Sequence, residues 1–126
     1  MTIGNRNLVV DLSKKHRPWG YYEDISRMDD TVYKEIVVNP GARLSLQYHN
    51  ERNEFWYIAE GVGIVTIGDD DINVSKGDHV FIGKTIPHRV KNIGEGLLRI
   101  REMQCGICRE DDIVRIEDDY GRVDVS

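Results

Sequence analysis

A chain of 126 residues with 40% hydrophobic and 31% charged side chains has the size and make-up of one soluble domain, which buries about two-thirds of the surface its unfolded form exposes. No apolar run approaches the roughly 20 residues that span a bilayer, and a net charge of -5 offers no basic stripe to a phosphate backbone. Membrane and nucleic-acid roles are therefore not expected.

The opening MTIGNRNLVVDLSKK carries a short apolar stretch ended by Asp11 and no small-residue cleavage site, so it does not read as a secretory signal and implies a cytoplasmic protein. Short β-rich runs then follow one another: VYKEIVV before Asn39-Pro40-Gly41, ARLSLQYH, EFWYIAEG, VGIVTIG before Asp69-Asp70-Asp71, INVSKGD, HVFIG, HRVKN before Gly94, and LLRIREMQ. Turn-punctuated runs at this spacing predict an all-β sandwich or barrel. No helical period, repeat or linker interrupts them, so residues 1–126 read as a single domain with a barrel core over about 17–122. Cys105 and Cys108 in C-G-I-C lack the further ligands of a zinc site and are expected to be reduced thiols. The acidic tail EDDIVRIEDDYGR fits either one short helix or a final strand and turn.

Side chains two apart on a strand share a face. Alternation along ARLSLQYH therefore groups Arg43, Ser45, Gln47 and His49 on one face and Leu44, Leu46 and Tyr48 on the other. In EFWYIAEG, Glu54 shares its face with Trp56 and Ile58, an apolar pair that marks the interior. His88 shares a face with Val90, and Glu102 and Gln104 share theirs with Leu98 and Ile100. A carboxylate turned inward requires a partner. Gln47, His49, Glu54 and His88 together form a mixed nitrogen and oxygen set suited to a divalent transition ion with open positions, such as zinc, manganese, cobalt or iron. Each histidine taken singly is more often a hydrogen-bonded core residue than a ligand.

These residues carry a resemblance. Gly41 to Gly61 resembles the first cupin motif, with Gln47 in the place of its first histidine, and Gly77 to Asn92 resembles the second, with His88 at its metal position. Q-Y-H-N-E-R-N-E-F-W is similar to the Q-x-H-H-H-R-x-E-H-W signature of the cupin domain in type II mannose-6-phosphate isomerases. R-P-W-G at 17 to 20, N-P-G-x-R-L-S-L-Q and the tail from 110 to 122 are similar to that family as well. Asn50, Glu51 and Phe55 depart from the signature's histidines, Gly83 from the usual proline, and Val62-Gly63 from Thr-Ala.

The resemblance implies a double-stranded β-helix (jelly-roll) barrel, a divalent metal, and isomerisation of a sugar phosphate of the mannose 6-phosphate and fructose 6-phosphate type through an enediolate. The nucleotidyltransferase domain found upstream in many such enzymes has no room in this chain, so guanylyltransferase activity is not expected. Glu102 is the candidate base, and Arg43, Lys34 and Arg115 are candidate contacts for phosphate or hydroxyl groups. Arg52 is expected to hold the loop between the ligands, and Trp19, Tyr22 and Tyr120 to plug a barrel end. Two other readings stay open: a non-catalytic sugar-binding or sensing metal cupin, and a metal-dependent dioxygenase. An outward strip of Leu44, Leu46 and Tyr48 predicts a homodimer, unless the N-terminal LVVDL covers it.

Overall fold

The computed structural model describes residues 13–122; the LVVDL segment and the N-terminus lie outside them. Eleven strands and no helix make up the described chain: β1 Lys14–Arg17, β2 Gly20–Arg27, β3 Thr31–Val38, β4 Leu46–Tyr48, β5 Arg52–Glu60, β6 Val62–Ile67, β7 Asp70–Ser75, β8 His79–Ile82, β9 His88–Asn92, β10 Leu98–Gly106 and β11 Val114–Glu117. They form two antiparallel sheets, a six-stranded one in the order β1-β2-β3-β10-β5-β8 and a five-stranded one in the order β11-β4-β9-β6-β7. From β3 onward the chain changes sheet at every step except the β6–β7 hairpin, which is the double-stranded β-helix that the resemblance implies.

Period-two patterning explains which face of each long strand is inside. Along β5, Glu54, Trp56 and Ile58 are buried while Phe55 is exposed, and along β10, Leu98, Ile100, Glu102 and Gln104 are buried while Arg101 and Met103 are exposed. Ile58, Val65, Val90, Leu98 and Ile100 are completely shielded from solvent. Each contributes about 1.5–3 kcal/mol by leaving water. Buried Asn92 ties the end of the barrel, donating from Nδ2 to the carbonyls of Val38 and Gly96 and accepting at Oδ1 from Gly94 N–H.

Two features differ from the sequence reading. Strands β1 and β2 were not anticipated, because β1 is wholly polar and β2 exposes Asp24, Ile25, Ser26 and Arg27 one after another, so no apolar alternation marks them. The ARLSLQYH run is a strand only over Leu46–Tyr48; upstream of it a single bridge joins Arg43 to Lys91. Without a continuous ladder the two-residue alternation does not carry across, so Leu44 turns into the core rather than outward, while Arg43 turns out. The outward strip proposed for a dimer thereby loses Leu44. The exposed apolar side chains Phe55, Phe81 and Met103 stand instead on the outer face of the six-stranded sheet, on neighbouring strands. Of the two forms left open for the tail, the strand and turn is the one adopted: β11 pairs with β4, setting Arg115 opposite Gln47.

Candidate metal centre

His49, Glu54 and His88 come from three separate stretches of chain and converge in the barrel interior, one ligand atom from each lying within 4.8 Å of the others. Glu54 is delivered by the inner face of β5, and His88 opens β9, between Gln47 of β4 and Ile67 of β6. His49 follows the last residue of β4. Its Nε2 is 3.2 Å from Glu54 Oε2, the Nε2 of His88 is 3.6 Å from Glu54 Oε1, and the two imidazole centroids are 5.2 Å apart.

The imidazoles are oriented from behind. Nδ1 of His49 bonds the carbonyl of Asp112 at 2.6 Å, and Nδ1 of His88 bonds that of Ile86 at 2.9 Å. A carbonyl only accepts, so each Nδ1 carries the proton and each Nε2 presents a lone pair toward Glu54. This is the arrangement that metal-binding histidines adopt. His88 Nε2 is buried and has no hydrogen-bond partner. An orphaned lone pair directed at a carboxylate is what a cation would satisfy, so the residues present fit a divalent ion. The segment between β8 and β9 pays a local backbone cost for this geometry, with Thr85 at a φ of 65° and its N–H donating to the His49 carbonyl.

The charges respond accordingly. Burial draws the His49 imidazolium down to about 4, against the attraction of Glu54, so the ring is neutral near pH 7. Burial alone would raise the Glu54 carboxyl, yet the His88 and His49 rings and the neighbouring Glu102 hold it well below the usual carboxylate range. Glu102, buried and beside the Glu54 charge, is pushed up to about 8 and keeps its proton. Trp56 Nε1–H bridges the two carboxyls, 3.2 Å from Glu54 and 2.9 Å from Glu102, and Gln104 Nε2 donates to the second Glu102 oxygen at 2.9 Å. Arg52 donates from Nε to Glu54 Oε2 at 2.9 Å and faces His49 Nε2 at 3.3 Å. A lone pair serves one partner at a time, so a cation at His49 displaces that second contact.

Beside this cluster opens a cavity of about 260 Å³. Its walls include Gln47, His49, Glu54, Glu102 and Lys34, so five of the residues proposed from the sequence meet in one chamber. Gln47 is held there by Ser45, whose hydroxyl donates to its Oε1 at 2.7 Å. Lys34 is buried but already paired, its Nζ 2.8 Å from Glu110 and 4.6 Å above the Tyr22 ring. Arg115 and the unanticipated Arg17 and Arg122 also line the chamber. Trp19 and Tyr22 form part of its wall rather than a distant plug, and Tyr120 is exposed.

Arg43 requires correction. Its side chain forms a two-pronged bond to Asp119, 2.7 Å at each prong, and lies outside the chamber lining because the broken alternation turns it to the surface. Sequence reasoning also missed Asp112, Arg17 and Arg122 as parts of the site. The tail motif 110–122 was the signal that could have found Asp112 and Arg122, and R-P-W-G at 17–20 the signal for Arg17.

A two-sheet antiparallel barrel with this inward cluster is a cupin. A solved structure entitled "Schizosaccharomyces pombe Cnp3 Cupin Domain" superimposes with a TM-score of 0.67 over 68% of this chain and 64% of that one, at 14% identity. Residues 4–118 match the family described as "Mannose-6-phosphate isomerase C-terminal", and the chain belongs to it. It is 43% identical over 110 residues to the xanthan biosynthesis protein XanB of Xanthomonas campestris pv. campestris (strain B100), covering 86% of this chain and 24% of that protein. It is 38% identical over 140 aligned positions to the mannose-1-phosphate guanylyltransferase of Escherichia coli (strain K12), covering 96% of this chain and 29% of that one.

The chain thus spans about a quarter of the length of these curated relatives. That finding overturns the expectation of a self-contained mannose 6-phosphate/fructose 6-phosphate isomerase: the match is to a C-terminal portion of larger proteins, and these two are named for xanthan biosynthesis and for guanylyl transfer. Family membership stands and the specific reaction does not.

Proposed function

We propose that the chain is a metal-binding cupin unit whose chamber holds a phosphorylated sugar against a divalent ion. The observation that carries this reading is the convergence of two Nε2 lone pairs and one carboxylate, each buried and oriented from behind, beside a chamber lined by polar side chains. His49, Glu54 and His88 would hold the ion, with Gln47 in the same chamber as the candidate fourth ligand. An ion there supplies positive charge to bound sugar oxygens.

The protein groups have their own tasks. Glu102, neutral near pH 7, donates or accepts a hydrogen bond at a sugar hydroxyl, and Gln104 and Trp56 fix its direction. Arg17 and Arg115 bring positive charge to the wall, the chemistry that a phosphate group requires, whereas Arg122 is already held in a two-pronged pair by Asp118. Lys34, tied to Glu110, is better suited to holding the tail against the chamber than to gripping phosphate. Relatives named for xanthan biosynthesis and as a mannose-1-phosphate guanylyltransferase support a sugar-phosphate ligand, and such ligands favour a cytoplasmic location.

The test is calorimetry on protein stripped with chelator and reloaded with zinc, manganese, cobalt or iron. About one ion per chain is expected, followed by metal-dependent binding of a hexose phosphate but not of the unphosphorylated hexose. Absence of stoichiometric metal overturns the whole reading. Stoichiometric metal with no binding from a panel of hexose phosphates and nucleotide sugars overturns its sugar-phosphate part.

A further inference from the structure

The loop between β10 and β11 lies against the stretch that carries His49 and Arg52. Ile107 N–H donates to the Glu51 carbonyl at 3.0 Å, and Arg52 Nη1 donates to the Arg109 carbonyl at 3.0 Å. One residue contributes three contacts. Asp112 accepts from the N–H groups of Asn50 and Glu51, one on each carboxylate oxygen and both at 2.9 Å, while its own carbonyl accepts from His49 Nδ1 at 2.6 Å. Gly106 opens this loop with a φ of 128°, and a Cβ there would stand 2.5 Å from the Glu51 carbonyl oxygen. The close approach of the two stretches therefore requires glycine.

From this geometry we infer that Asp112 is a positioning residue for the metal ligand His49, and that ion binding and closure of the 107–113 loop are one coupled event. The carboxylate anchors the backbone on either side of the turn, which sets the Asp112 carbonyl on Nδ1 and leaves the Nε2 lone pair aimed at Glu54. A cation that binds Nε2 strengthens the Nδ1–H bond behind it, so the loop and the ion stabilise each other. The inference rests on the metal reading above and adds a residue that touches neither ion nor sugar.

The experiment compares wild type, Asp112→Ala and Asp112→Asn by chelator competition for cobalt and zinc, by the visible absorption of the cobalt form, and by hydrogen exchange of the 107–113 amides with and without metal. Asp112→Ala is expected to weaken metal binding about 10–100-fold, the usual cost of losing an outer partner, and to alter the cobalt spectrum. Asp112→Asn, which retains one acceptor oxygen, is expected to recover part of the loss. In wild type, metal slows exchange across the loop.

A merely structural role for Asp112 would lower the melting temperature of the metal-free protein but leave the affinity and spectrum of folded Asp112→Ala within about twofold of wild type. That outcome overturns the inference while the metal reading stands. Loop exchange indifferent to metal overturns the coupling. Wild type that binds no ion overturns both readings together.

Discussion

The ligands of the candidate centre are held in two different ways. Glu54 projects from β5, which is laddered to β10 on one side and β8 on the other, and His88 is paired across both of its neighbours, β4 and β6. His49 has no ladder of its own; beyond Tyr48 its placement depends on Asp112, on Thr85 and on the loop after β10. Ladder-held ligands inherit the stiffness of the sheet, whereas the third is only as well placed as the tail that backs it. One half of the site is therefore part of the fold, and the other is conditional on a surface segment.

The largest effect tests the ladder-held half. His88→Ala removes a ligand outright and should cost more metal affinity than the roughly 10–100-fold that follows loss of an outer partner, with the barrel still folded by circular dichroism. A loss smaller than that of Asp112→Ala would reverse the ranking of the two halves. Next, Ile100→Ala opens a cavity beneath β10 and should destabilise the protein by about 2–5 kcal/mol in urea unfolding. A cost below this range would mean that the sheet side is not the rigid scaffold.

Gly106→Ala strikes the conditional half. Strain at positive φ together with the close Glu51 carbonyl should cost about 1–3 kcal/mol. Metal affinity should fall as well, because the loop can no longer seat Asp112; an unchanged affinity would separate the loop from the ligand. Smaller still is a pH effect in the metal-free protein. Glu102 has its folded pKa raised to about 8, so its contribution is complete at low pH and is lost as pH rises through 8. His49, lowered to about 4, has the opposite sign: its contribution is present above about 6.5 and lost as pH falls toward 4. Between about 6.5 and 8 the Glu102 slope stands clear of His49. Glu102→Gln should flatten it, removing at most about 2 kcal/mol of pH dependence over that window. An undiminished slope in the variant would assign the proton elsewhere.

The smallest expected effect is that of Arg43→Ala. Its partner Asp119 is exposed and lies outside the chamber, and exposed pairs of this kind contribute little. The unfolding midpoint and metal affinity should match wild type within error; a marked loss of either would return Arg43 to the site.

What was legible in the sequence follows the same division. The inward sets Glu54-Trp56-Ile58 and Leu98-Ile100-Glu102-Gln104 were readable because β5 and β10 are long, continuously laddered strands in which period two holds from end to end. Arg43 and Leu44 were misread because a lone bridge does not enforce alternation, and so the two exchanged faces while Ser45 stayed inward as expected. The support behind His49 was invisible for another reason: it is a main-chain carbonyl, which every residue possesses, and only the tertiary fold selects the one at Asp112. Strands β1 and β2 escaped notice because KKHR and DISR offer no apolar period.

The chain has two tryptophans, Trp19 and Trp56, and both line the chamber. Excited at wavelengths that the six tyrosines do not absorb, its tryptophan fluorescence is therefore a signal from the barrel lumen. The Trp56 indole N–H, shared between Glu54 and Glu102, reports on the carboxyl pair itself, and its edge-on stack with His88 at 5.8 Å places the ring beside a proposed ion ligand. A paramagnetic ion such as cobalt at that position would quench this emission, whereas closed-shell zinc would shift it. Occupancy of the lumen could then be followed optically in the unlabelled, unmodified chain.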